Sequence, residues 1–191
     1  MEEVTLHNIP KQTGWIEVIT GCMFSGKTEE LIRRLRRAQI AKQNVVIFKP
    51  RIDTRYSSNH IVSHNEQLLP SIVIDHPREI LVAGKDAQVI GVDEAQFFSP
   101  DLIDVCERLA CAGKRVIVAG LDQDYRGKPF EPMPHLLSVA EYITKTLAIC
   151  MICGNPADRT QRITGENELV VVGAQNHYEA RCRKCFVPPA D

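Results

Sequence analysis

Short unbroken apolar blocks alternate with stretches of helical period along this chain. Residues 15–20 (W-I-E-V-I-T), 45–48 (V-V-I-F), 88–93 (Q-V-I-G-V-D) and 115–120 (R-V-I-V-A-G) favour strand. Continuous apolar runs of this length mark strands buried on both faces, as in parallel sheets. Between the first two runs, Leu31, Ile32, Leu35, Ala38 and Ala41 recur on one helical face, predicting a helix over residues 29–42. Leu102, Ile103, Val105, Cys106 and Leu109 predict another over residues 100–112. Weaker signals give a strand at 68–74, short helices at 77–83 and 135–140, and a closing strand at 142–149. Strands joined through helices imply right-handed crossovers and an α/β parallel sheet with helices on both faces.

The turn between the first strand and the first helix carries the strongest chemical signal. Residues 21–28 read G-C-M-F-S-G-K-T, which fits the P-loop pattern. Gly21 and Gly26 let the backbone turn tightly, so that the N–H groups of Cys22, Met23, Phe24 and Ser25 converge on one hollow sized for nucleotide phosphates. Lys27 can reach the β- and γ-oxygens, and the Thr28 hydroxyl can bind Mg²⁺. The helix that follows adds the attraction of its N-terminus for anions.

A second signal lies at the end of the 88–93 strand, where Asp93 and Glu94 follow the apolar run. An acidic residue there is the Walker B arrangement and holds Mg²⁺ directly or through water. Alternation along a strand would turn Glu94 away from Asp93, toward an acceptor, as a candidate general base. The polar loop 49–59 (K-P-R-I-D-T-R-Y-S-S-N) leaves the C-terminal end of a strand, where open α/β sheets form their ligand crevice. Asp53 and Arg55 are its members suited to metal-bound water and phosphate, or are plain solvated charges. Phe97, Phe98, Tyr125 and Phe130, with Met23 and Phe24, gather at loop ends and suit a wall against a planar base. Arg33, Arg34, Arg36 and Arg37 on the first helix read as a solvated face or a subunit contact rather than a phosphate site.

Seven cysteines are present, four of them in two C-x₂-C pairs, Cys150/Cys153 and Cys182/Cys185, with 28 residues between the pairs. Each pair supplies two thiolates from one tight turn, and the four together suit tetrahedral Zn²⁺ in a closed, structural site. The long intervening loop, with its β-favouring middle around residues 168–173 and Tyr178 near its end, is a candidate lid. The basic residues Arg181, Arg183 and Lys184 beside the pairs lack a wider basic surface, and the net charge of −1 gives no electrostatic footprint for nucleic acid. The N-terminus lacks the basic and apolar regions of a signal peptide, and no apolar stretch approaches the ~20 residues of a membrane span. Composition and motifs therefore predict a cytoplasmic protein of 191 residues in three parts: an N-terminal arm at 1–13, a P-loop α/β domain at 14–149, and a zinc-ribbon domain at 150–191 carrying the long loop.

M-F-S-G-K-T, K-P-x-x-D-T-R-Y, D-E-A-Q-F-F, A-G-L-D-Q-D-Y-R-G-K-P-F and the two C-x₂-C pairs occur in that order. Together they resemble the thymidine kinases of the zinc-containing cellular and bacterial type, over nearly the whole chain. The resemblance implies transfer of the γ-phosphoryl group of ATP to thymidine, giving dTMP for salvage toward DNA synthesis. Gly21 to Thr28 would hold the ATP phosphates, with Asp53, Arg55, Asp93 and Gln96 serving phosphates and Mg²⁺, and Glu94 would be the base. Met23, Phe97, Leu121, Tyr125 and Phe130 would line the thymine pocket. Leu169, Val170, Val171, Val172 and Gly173 would hold the base through their backbone, and Tyr178 would close over the nucleoside. The family is generally homotetrameric and inhibited by dTTP, with no nucleic-acid or membrane partner. The alternative from the motifs alone is a P-loop regulatory ATPase with a structural zinc ribbon. A GTPase would need an N-K-x-D segment, which the sequence lacks.

Overall fold

The computed structural model describes residues 13–52, 60–62, 68–164 and 177–189. In chain order its elements are β1 (Trp15–Thr20), α1 (Lys27–Ile40), β2 (Val45–Pro50), β3 (His60–Val62), β4 (Leu68–Pro70), β5 (Ile72–Ile74), α2 (Glu79–Ala83) and β6 (Val89–Val92). They continue through α3 (Asp101–Cys111), β7 (Arg115–Gly120), α4 (Met133–Val139), β8 (Tyr142–Lys145), β9 (Ala148–Ile149), β10 (Pro156–Ala157), β11 (Arg159–Arg162) and β12 (Tyr178–Arg181). Six strands form one sheet in the order β5-β2-β6-β7-β1-β8, parallel throughout. The doubly covered sheet predicted from the apolar runs is therefore present.

Alternation along the strands divides the core in two. Ile16, Val18, Phe48, Ile90, Val92, Val116 and Val118 face α2, α3 and α4 and pack with Ile80, Leu102, Val105 and Met133. Ile19, Ile47, Val89, Ile117 and Ala119 face the other way, onto Leu31, Ile32, Leu35 and Ala38 of α1. The same alternation puts Glu17 under α1, where it accepts hydrogen bonds from Trp15 Nε1 at 2.8 Å, Arg34 Nη1 at 2.7 Å and Arg115 Nε at 2.5 Å. Arg34 also reaches Glu30 and Thr144. Of the four arginines read as a solvated face, Arg34 is thus half-buried and internally paired, while Arg33, Arg36 and Arg37 are exposed.

Several boundaries differ from expectation. The predicted strand at 68–74 is two strands. β4 pairs antiparallel with β3, and β5 pairs parallel with β2. Pro70 has no N–H to continue a ladder, and the chain changes partner across Ser71. Helix α1 begins at Lys27 rather than residue 29, because Gly26 already takes the N-cap place. Helix α4 begins at Met133, two residues early, with Pro134 in its first turn. The closing strand leaves the sheet after Lys145, with the Thr146 N–H donating to Thr20 O at 2.8 Å as the last rung. Residues 148–149 instead pair antiparallel with β10, and β11 pairs with β12, so the cysteine pairs sit on two small ribbons at the β8 side of the sheet.

Candidate active site

The P-loop sits where β1 leaves the sheet. Gly21 has φ 145°, and a Cβ there would lie 2.2 Å from Thr146 O, so only glycine fits. Phe24 at φ 67° and Gly26 at φ 83° are both left-handed, which reverses the backbone on either side of Ser25 and turns it around a hollow. Lys27 lies across that hollow and donates from Nζ to Cys22 O at 2.8 Å. Outside contacts brace the turn. Ser25 Oγ and Thr146 Oγ1 are 2.8 Å apart, the Met23 N–H donates to Thr160 Oγ1 at 3.0 Å, and the Cys22 thiol donates to Ala157 O at 3.3 Å. Burial pushes the Cys22 thiol above its ordinary range against the pull of the Lys27 charge, so it stays a protonated donor.

Asp93 follows β6, which lies beside β7, two strands from β1. The gap is spanned by the first turn of α1, which brings Thr28 Oγ1 to 3.4 Å from one Asp93 carboxylate oxygen and 3.5 Å from the other. A hydroxyl and a buried carboxylate so spaced are the oxygen donors a hard cation prefers. The strand alternation expected to turn Glu94 from Asp93 does not operate. The strand has ended at Val92, and Glu94 takes φ 52° to open the short 3₁₀ turn Ala95–Phe97. Holding a non-glycine residue there costs about 1–2 kcal/mol, a strain typical of functional positions. The Glu94 N–H donates back to Asp93 Oδ1 at 3.0 Å. One cleft is lined by Met23, Phe24, Gly26, Lys27, Thr28, Glu29, Glu94 and Leu121.

The aromatic residues form two groups rather than one wall. Phe97 meets Phe130 edge to face with centroids 6.2 Å apart, while Phe98 is buried in the α3 core. Tyr125 instead stacks under the Arg162 guanidinium, 3.6 Å from its ring centroid, and Arg162 donates to the Tyr178 hydroxyl at 2.6 Å. Phe24 lines the cleft and also packs against the cysteine module.

The four predicted thiols converge. Cys150, Cys153, Cys182 and Cys185 have ligand atoms within 4.8 Å of one another, with two sulfur pairs at 3.6 Å. A tetrahedral ion with Zn–S bonds of about 2.3 Å would need edges of about 3.8 Å, so the donor set fits zinc. Backbone N–H groups of Cys185 and Lys184 hold the Cys182 thiol below the ordinary range, as a ligand thiolate requires. The Cys153 thiol beside it pushes Cys185 up to about 12.

A family model described as thymidine kinase matches residues 14–186 of this chain. The chain belongs to the thymidine kinase family. It is 61% identical over 176 residues to a thymidine kinase of Rhodothermus sp. (strain ITI 518), a match covering 92% of this chain and 83% of that protein. Among solved structures it is similar to the Legionella pneumophila ATPase DotB at 16% identity and a TM-score of 0.40, over 68% of this chain and 35% of that chain, a likeness too slight to bear on function. The activity of this thymidine kinase is phosphoryl transfer to thymidine.

For the kinase, the fold brings Met23, Gly26, Lys27, Thr28, Glu94 and Leu121 to one cleft, with Asp93 within reach of Thr28. Asp53, Arg55 and the run from Leu169 to Gly173 lie outside the described residues, as does nearly all of the arm at 1–13. Sequence reasoning missed Thr160 and Arg162, the two inward residues of β11. The one available signal was a strand without an apolar residue, R-T-Q-R, whose buried face must then be polar. No helix among the described residues is long and apolar enough to cross a membrane.

Proposed function

We propose that the kinase moves the γ-phosphoryl group of ATP to the 5′-hydroxyl of thymidine, with Glu94 as the base and the P-loop as the phosphate cradle. What supports this above all is the shared cleft: Glu94 lines the same opening as Gly26, Lys27 and Thr28, so a proton acceptor and a phosphate site face one space. Phosphoryl transfer asks little covalent chemistry of a protein and depends on positioning and charge. The backbone between Gly21 and Gly26 would hold the α- and β-phosphates, and Lys27 would leave Cys22 O for the β- and γ-oxygens. Thr28 and Asp93 fit Mg²⁺, which when bound would offset charge on the transferring group. Glu94 would take the proton of the 5′-hydroxyl as it attacks in line.

Met23, Phe97, Leu121, Tyr125 and Phe130 would line the thymine pocket, with Tyr178 closing over it. Asp53, Arg55 and the run Leu169 to Gly173 keep the roles that the resemblance gives them. A cytoplasmic homotetramer inhibited by dTTP, feeding pyrimidine deoxynucleosides into DNA synthesis without nucleic-acid or membrane partners, completes the reading.

The test is thymidine-dependent ADP formation from ATP, compared with Glu94→Gln. Loss of a positioned base lowers kcat by about 10²–10⁴, so the variant should turn over that much more slowly while still binding ATP. ADP release at full rate without a nucleoside would sink the kinase assignment, and near-normal turnover by the variant would place the base elsewhere.

A further inference from the structure

Gln96 lies two residues beyond Glu94 in the Ala95–Phe97 turn and is buried. Its Oε1 accepts the Leu121 backbone N–H at 2.9 Å, and its Nε2 donates to Glu94 Oε2 at 2.5 Å. The first bond fixes the second. An amide oxygen facing an N–H leaves only the NH₂ end for the carboxylate, so the pair reads as a one-way relay. The space around it is closed: a Cβ added at Gly120 would lie 3.0 Å from Gln96 Oε1 and 2.6 Å from Met133 Sδ. Gln96 thus joins the segment after β7, where Leu121 lines the cleft, to the carboxylate across it.

We propose that Gln96 is a positioning residue, which transmits the placement of the Leu121 segment to the aim of the Glu94 carboxylate. The proposal rests on the reading of Glu94 as the base. A glutamate on a left-handed turn has three side-chain torsions to settle, and the backbone conformation bears chiefly on the first. Anchoring one oxygen removes most of that freedom and orients the group. The Leu121 end makes the anchor sensitive to the nucleoside side of the cleft, so the base would be best aimed when that segment is in place. A buried amide that merely fills space would stabilise the turn without this directional effect.

Four proteins test it: wild type, Gln96→Met, Glu94→Gln and the double variant, each measured for kcat, thymidine KM, ATP Kd and thermal midpoint. Methionine keeps the length of glutamine and removes both hydrogen bonds. Small misplacement of a reacting group costs up to about 100-fold, so Gln96→Met should lose about 10–100-fold in kcat with thymidine KM and ATP Kd within about twofold. In the Glu94→Gln background the same change should cost less than about twofold, because aiming an absent base has no effect. Gln96→Glu keeps the acceptor for Leu121 but sets one carboxylate against another. It should also lose kcat, and it carries the comparison should the methionine variant fail to fold. Equal fold-losses in both backgrounds, with Glu94→Gln itself impaired, would overturn the positioning role alone, as would wild-type kcat in Gln96→Met. Near-normal turnover by Glu94→Gln would overturn the base reading and the positioning role with it.

Discussion

Replacing Thr160 by valine measures how far the cysteine module shapes the phosphate cradle. Thr160 is buried on β11, and its hydroxyl accepts the Met23 N–H at 3.0 Å. Next to it Cys22 packs with Ala148, Cys150, Ala157 and Cys182, and Phe24 packs against the same cluster. Valine has nearly the shape of threonine, so the substitution removes an acceptor without opening a cavity. A buried N–H left without a partner costs about 1–3 kcal/mol. Met23 is only half-buried, and water can meet part of its loss, so the lower end applies, about 1–1.5 kcal/mol. That energy falls on the braced form of the loop relative to its alternatives. An apparent affinity scales with the fraction of binding-competent protein. At 1.4 kcal/mol per tenfold, ATP Kd should rise about 5–12-fold. The thermal midpoint of a chain this size should fall by only about 2–6 °C, and zinc content should not change. Calorimetric titration with ATP and Mg²⁺, without thymidine, separates this effect from any in the nucleoside pocket. A folded, metal-loaded variant whose ATP Kd stays within twofold of wild type would refute the bracing argument.

Chelation of the metal should act on the same contacts from farther away. A closed Cys₄ site stabilises by folding its surroundings, so metal-free protein, or Cys153→Ser, should show raised thymidine KM and raised ATP Kd together with a retained sheet signal in circular dichroism; full activity without zinc would exclude this. Glu17 gives a prediction in pH. Burial alone would raise its carboxyl, but hydrogen bonds from Arg115, Trp15 and Arg34 outweigh burial and hold it below the ordinary range. A depressed folded value contributes stability that is present above the unfolded value, about 4.3, and is lost as pH falls through the folded one. Urea unfolding should therefore show wild-type stability falling below about pH 4.3. Glu17→Ala, which takes the carboxylate from Arg115 while Arg34 keeps Glu30 and Thr144, should be about 1–3 kcal/mol weaker near neutrality with a shallower acid dependence; an unchanged acid slope would refute the assignment.

What the sequence made legible was whatever a short window encodes. The apolar runs of β1, β2, β6 and β7 are buried on both faces and therefore announce a parallel sheet. The P-loop announces itself because glycine, lysine and threonine must stand at fixed spacing around phosphate. The four cysteines are legible for the same reason, since two tight turns each offer two sulfurs. The illegible parts depend on conformation or on distant pairing. No window around Glu94 says that its backbone turns left-handed, so strand alternation is the available argument, and it fails because the strand ends at Val92. Tyr125 reads as a wall for a planar base, yet it stacks on Arg162, 37 positions later. Arg162 and Thr160 face inward from a strand of polar residues, where an apolar-in rule finds nothing to follow.

The bracing of the P-loop explains why these distant pairs matter to a locally written motif. Gly21 and Gly26 supply the freedom that the turn requires, and the same freedom opposes a fixed cradle, because glycine loses the most conformational entropy on ordering. The loop's own residues cannot restore rigidity among themselves, since the N–H groups other than that of Met23, which goes to Thr160, must be left to face phosphate. Rigidity has to come from outside. It does so through Ser25 to Thr146, Cys22 to Ala157 and Met23 to Thr160, contacts spanning 121, 135 and 137 positions. The first joins the loop to the end of β8 and the other two join it to the ribbon that carries the cysteines. A cradle fastened this way can take its shape only after the last third of the chain is in place. Phosphate affinity then becomes a property of the whole fold, although the residues that write the motif fill a single turn.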